Sequence, residues 1–110
     1  MSLPKKREKL LKGKTIKQPT GCKALYITIN ADSEGNDFET FIKMGKQGSC
    51  INSYCEAIGR LASVILRAGL GKEIIIKHLR DIRCPSPIEI DGKQILSCAD
   101  AIAHALGGDK

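Results

Sequence analysis

Apolar and polar positions along the chain change period several times, and each change predicts a new element. From Lys23 onward, Leu25, Ile27 and Ile29 alternate with Tyr26 and Thr28, the period of two that a half-buried strand requires. A second alternating run, Phe38 to Met44, sets Phe38, Ile42 and Met44 on one side and Phe41 on the other. Between them Asp32, Ser33, Glu34, Gly35 and Asn36 carry turn chemistry, so the two runs predict an antiparallel hairpin. Gly45 to Cys50 break the alternation, and Ile51, Cys55, Ile58, Ala62 and Ile65 then recur at helical spacing as far as Arg67. Ser53 with Glu56 has the form of a capping box, while Ser49 offers a slightly earlier start. Gly59, in mid-helix, costs on the order of 1 kcal/mol against Ala unless close packing demands it.

Gly69 followed by apolar Leu70 suits a Schellman-type stop. Gly71, Lys72 and Glu73 then lead into a second helix with Ile75, Leu79 and Ile82 along one face. Arg83-Cys84-Pro85-Ser86-Pro87 ends it, because each proline removes a donor and pushes its predecessor toward extended geometry. Ile88 to Ile90 and Lys93 to Leu96 flank Asp91-Gly92 and predict a short hairpin with a tight turn. Ser97 is a good N-cap for a last helix through Ala99, Ile102, Ala103 and Leu106, closed by Gly107 and Gly108. The order is strand, strand, helix, helix, hairpin, helix, with no internal repeat, and the predicted class is α+β.

Composition refines this picture. The 110 residues make room for one core, and two Phe, two Tyr and no Trp leave Ile, Leu and Ala to fill it. A core so poor in aromatics invites stabilisation from something besides packing. Residues 1 to 20 hold seven Lys or Arg against the single acid Glu8, and so carry the whole net charge of +6. With only Leu10, Leu11 and Ile16 as apolar anchors, residues 1–20 read as a basic arm or linker, ahead of a charge-balanced domain over residues 21–110. The longest apolar runs, such as Ile74 to Ile76, fall far short of the roughly 20 residues that cross a bilayer. Lys5, Lys6 and Arg7 are followed by Leu10, Leu11, Lys12 and Gly13 rather than by an apolar signal core, so the expected location is cytoplasmic.

Five cysteines are more than such a core needs, and a reducing compartment argues against a disulfide framework. Cys55 lies on the apolar stripe of the long helix and reads as a packed thiol. The other four sit at breaks: Cys22 before the first strand, Cys50 before the long helix, Cys84 before Pro85, and Cys98 at the opening of the last helix. Thiols at helix starts are biased toward thiolate by the local dipole, and thiolate is the form that ligates metals. Four such donors suit tetrahedral zinc, and the same set could hold an iron–sulphur cluster. Their separations of 28, 34 and 14 residues contain no CxxC pair, so spacing alone leaves open that they are small buried hydrophobes.

Several short motifs in this chain resemble the TSCPD domain, found at the C-terminal end of adenosylcobalamin-dependent (class II) ribonucleotide reductases and in small stand-alone proteins. They are Thr20-Gly21-Cys22 leading into Leu25 to Asn30, Met44-Gly45-Lys46 with Gly48-Ser49-Cys50, Glu56 to Leu61, Ile82 to Pro87, and Leu96-Ser97-Cys98-Ala99-Asp100 with Ala101, Ile102 and Ala103. They fall in the family's order from about Leu11 to Leu106, and all four break-positioned cysteines lie within them. The resemblance implies a shared metal site of Cys22, Cys50, Cys84 and Cys98, with zinc ahead of a cluster, in a TSCPD-like domain over residues 21–110. Leu96 and Ala99 stand where the naming motif has Thr and Pro, which touches the local turn and leaves the thiol in place. The parent enzymes make deoxyribonucleotides for DNA replication with a cobalamin-generated thiyl radical, in a large barrel that 110 residues cannot contain. The implied role is a non-catalytic accessory module with no cobalamin site, docking on the catalytic part of a ribonucleotide reductase, with self-association as a further option.

Two other functions compete with this one. A dithiol relay would pass reducing equivalents to a reductase, with Cys50 and Cys55 the only cysteines close in sequence. Nucleic-acid binding would use Lys5 to Lys17, and Gly45-Lys46-Gln47-Gly48 could cradle an anion, though it lacks the Walker spacing. His78 and His104 read as ordinary helix-surface histidines, and nothing in the sequence pairs either with a cysteine nucleophile.

Overall fold

The computed structural model describes residues 4–44 and 50–108. In chain order it contains β1 (Lys12–Gln18), β2 (Leu25–Ala31), β3 (Asp37–Met44), α1 (Cys50–Arg67), α2 (Lys72–Leu79), β4 (Ile88–Ile90), β5 (Lys93–Ile95) and α3 (Cys98–Gly107). The α+β class holds, with one addition to the predicted order. Lys12–Gln18, part of the stretch that reads as an arm, pairs antiparallel with β2 and makes the first sheet three-stranded, β1-β2-β3. Its pattern hides the strand, because Ile16 alone packs against the core while Lys12, Lys14 and Lys17 are exposed. Charged residues of this kind protect a free sheet edge from pairing with other chains.

Alternation on β2 and β3 sorts residues as the sequence predicts. Leu25, Ile27 and Ile29 pair with Met44, Ile42 and Thr40, and all six are buried on the inner face. In the connecting turn the Asp32 carboxylate accepts the N–H groups of Glu34 and Asn36, each at 2.9 Å. The outer edge of β3 would be a second free edge, but α1 lies along it. Ser63 Oγ accepts the Thr40 N–H and donates to the Thr40 carbonyl, both at 3.0 Å, and Asn52 Oδ1 accepts the Met44 N–H. Gly59 permits this approach, since a Cβ there would lie 3.3 Å from the Thr40 carbonyl oxygen. The mid-helix glycine is thus a packing requirement rather than a defect.

The helix ends partly follow and partly correct the sequence. Gly69 takes a φ of 81°, and the N–H groups of Gly69 and Leu70 reach the carbonyls of Leu66 and Ile65, a complete Schellman stop. Ser53 lies inside α1, where its hydroxyl donates to the Cys50 carbonyl, so it does not cap the helix. The alternative cap Ser49 and the Gly45-Lys46-Gln47-Gly48 loop lie outside the described residues. The buried stripe of α1 is Cys55, Gly59, Ala62 and Leu66, and Ile51 is exposed at its edge. α2 is shorter than predicted, ending at Leu79 and leaving Ile82 exposed in the connection. The stop arises because Asp81 adopts a φ of 66° and gives its backbone N–H to Asp100. Asp91 and Gly92, with φ of 51° and 80°, form the predicted two-residue turn between β4 and β5.

α3 is the central element, buried over nearly its whole surface against α2, β1, β2 and β5. Its Ala101, Ile102, Ala105 and Leu106 join Leu25, Ile27, Ile42 and Leu66 in one core. A short helix with four Ala among its ten residues can be enclosed on all sides because such small side chains let neighbouring backbones come close. Among the described residues no helix is long and apolar enough to cross a membrane.

Candidate functional site

Three loops meet at the end of the sheet where β2 begins: residues 20–22, 84–86 and 96–98. Their approach is close enough that a Cβ on Gly21 would fall 1.6 Å from the Ser86 carbonyl oxygen, so only glycine fits there. Thr20 ties the first loop, its Oγ1 accepting the N–H groups of Cys22 (3.1 Å) and Lys23 (3.0 Å). The Cys98 thiol donates to the same Oγ1 at 3.8 Å. Cys84 accepts the Ser86 N–H on its sulfur at 3.3 Å and gives its own N–H to the Leu96 carbonyl at 2.9 Å.

Cys22, Cys84 and Cys98 are thereby drawn together from positions far apart in the chain. The thiol of Cys22 is pushed up from its ordinary range, first by partial loss of solvent around the sulfur and then by the charge and hydrogen bonding of Cys98 and Cys84. Cys22 precedes a strand and not a helix, so the helix-start bias toward thiolate does not bear on it, and the two adjacent thiols disfavour its ionisation. Cys55 stands behind the group on α1. It is buried as predicted, and its pKa is pushed up to about 11 by burial, with smaller effects from Cys98 and Cys22. All five cysteines are free thiols.

Cys50, the fourth residue of the expected set, is exposed as the first residue of α1, and its thiol is not among the groups acting on Cys22. Among the described residues, no group of three or more His, Cys, Asp or Glu side chains stands ready to hold a metal ion. The donor set still suits a soft cation by its chemistry, since thiolate sulfur is the ligand such an ion prefers. Of the suggested Cys50–Cys55 dithiol, one thiol is exposed and the other is buried in the core. His78 is exposed, and His104 is half-buried with its Nε2 3.4 Å from Asp100 Oδ2.

Two buried acids organise the molecule, and a search of the sequence for metal donors passes over both. Asp100, only 2% exposed, accepts the N–H groups of Asp81 (2.8 Å) and Leu96 (2.9 Å), and its own N–H is held by the Ser97 cap at 3.0 Å. One carboxylate thus pins the connection leading to Cys84 onto the helix start that carries Cys98. Its signal lies in the naming motif, two residues after the cysteine. Glu39 is fully buried although alternation puts it on the outer face of β3. Arg7 meets it with two bonds (2.9 and 3.1 Å), Arg67 with one (3.0 Å) and Asn30 with one (2.7 Å). Burial alone would raise the Glu39 pKa, but the bonds from Arg7, Asn30 and Arg67 outweigh it and hold the carboxyl below the usual range. No sequence pattern announces Glu39, because its partners come from three separate segments.

Comparison with known proteins bears on the whole assembly. The family model of the TSCPD domain matches residues 2–110, nearly the full chain and inclusive of β1. No curated protein and no solved structure matches it.

Proposed function

The chain belongs to the TSCPD domain family, and on that premise we propose that it is a non-catalytic accessory module whose cysteines hold one structural metal ion. Cys22, Cys84 and Cys98 supply three thiolates, and Cys50 enters as the fourth on the family pattern. Zinc is favoured over an iron–sulphur cluster. The observation that carries this reading is the convergence of three thiols from three loops, each loop fixed by its own hydrogen bonds. A bound cation would supply the positive charge that lets those thiols ionise together. Tying residues 20–22, 84–86 and 96–98 to one ion would stabilise an aromatic-poor core that has little margin of its own. By the same family premise the module docks on the catalytic part of a ribonucleotide reductase.

The test is elemental analysis and an absorption spectrum on protein purified without air, with thiols counted before and after a chelator. We expect one zinc per chain, no visible absorbance, and four thiols unmasked by chelation. Cys84→Ser should then lower both metal content and melting temperature; unchanged values for both refute the site. A second reading, a dithiol relay to a reductase, draws on the contact of Cys22 with both Cys84 and Cys98. It would take first place if the protein holds no metal, all five thiols react freely, and mild oxidation links Cys22 to Cys84 or Cys98.

A further inference from the structure

The outer face of the three-stranded sheet is open over two of its three rows. In register across the strands, Lys17 pairs with Tyr26 and Tyr26 with Lys43; one step along, Thr15 pairs with Thr28 and Thr28 with Phe41. Tyr26 is 40% and Phe41 49% exposed, and these two share one sheet face, whereas the other exposed aromatic, Tyr54, lies on α1. Tyr26, Thr28, Phe41 and Lys43 line a depression of about 380 Å³. The third row, Gly13, Asn30 and Glu39, closes the face, and its acid is fully engaged by Arg7, Arg67 and Asn30. The nearest acid on α1, Glu56, is bonded to Arg60 at 2.8 Å.

We propose that this face binds single-stranded nucleic acid, with bases stacked on Tyr26 and Phe41 and phosphates held by Lys17 and Lys43. Tyr26 and Phe41 are diagonal cross-strand neighbours, positions about 7 Å apart along the sheet, a separation that successive nucleotides of an extended strand can span. Charge complementarity selects this occupant: a lysine stands on each side of Tyr26, and neither open row contains a carboxylate. The centre of a protein-docking surface would be depleted in lysine. Here the remaining face residues are threonines, whose hydroxyls already bond each other at 2.8 Å. Duplexes are excluded because their bases are stacked out of reach of a flat sheet. Basic charge from the N-terminal segment reaches this surface through Lys17 of β1, which places the binding on a folded platform and not on a loose arm.

The test is fluorescence anisotropy of the full chain with labelled oligothymidylate and oligouridylate at several salt concentrations. Wild type should bind with salt-dependent affinity, and the Y26A/F41A double variant should bind at least about tenfold more weakly at fixed salt. K17Q/K43Q should reduce the slope of log affinity against log salt by about 1.4, roughly 0.7 for each lost phosphate contact. Circular dichroism and melting curves establish that each variant folds. F41L serves as a second probe, since it keeps apolar bulk and removes the ring, and it should bind more weakly than wild type. The proposal is overturned by absence of binding in wild type, or by wild-type affinity in F41L or in a folded Y26A/F41A. It also fails if the chain is a dimer that F41L or Y26A/F41A makes monomeric, because the face is then a contact between copies.

Discussion

Two polar clusters sit toward opposite ends of the same sheet and are built on opposite logic. Around Glu39, opposite Asn30, both carboxylate oxygens meet charged or amide donors, and the pKa moves down. Around Cys22, just ahead of Leu25, the neighbours are two further thiols and the pKa moves up. Each cluster joins segments remote in sequence, yet only the first is electrostatically complete. Removing one member of the completed cluster leaves buried charge uncompensated, whereas Cys22 among its like neighbours stays protonated unless a cation offsets its charge. The difference separates a structural device from a candidate site more clearly than burial or residue type does.

That contrast can be broken from either end. The largest effect should come from Glu39→Ala, which leaves two guanidinium groups facing each other. A loss of about 3 kcal/mol in urea unfolding is expected, with metal content per chain unaltered. Because the Glu39 pKa is lowered on folding, its contribution is fully present above the ordinary carboxylate range. It is lost as pH falls through the folded-state value, so wild type should lose stability below that range and the variant should lose less. Equal acid sensitivity in both proteins would assign the pH dependence elsewhere.

Asp100→Ala is next, at about 2 kcal/mol, since it orphans the Asp81 and Leu96 N–H groups. Unlike Glu39→Ala, it should also weaken metal retention against a chelator, because Asp100 holds the Cys84 connection and the start of α3 in register. Ser97→Ala, which removes only the helix cap, should cost about 1 kcal/mol and loosen Cys98. A chelator titration in which all three variants keep the ion equally well would erase the distinction between the clusters.

Much of this molecule is legible in its sequence, for reasons that are local. Alternation on Leu25, Ile27 and Ile29, the Gly69 stop, the Asp91-Gly92 turn and the Ser97 cap each depend on residues within a few positions of one another. The departures share another cause. β1 is recognisable only against β2, because its lysines suit a solvent-facing edge and a loose arm equally well. α2 stops early because Asp81 is captured by Asp100, nineteen residues away. Ser53 satisfies a capping pattern but sits within a helix that has already begun.

The sequence by itself determined the inner and outer faces of β2 and β3, the element order after Lys23, the family, and which residues are thiols. Only the tertiary structure decided which thiols meet. It ties Cys22 and Cys98 to Thr20, brings Cys84 beside Cys22, sets Cys55 behind them, and leaves Cys50 exposed at the start of α1. Periodicity reports the face of an element that meets the core, because burial follows local geometry. It carries no information about which loops converge, since that depends on how whole elements pack: β3 against α1 through Gly59, and three loops around Gly21 and Asp100.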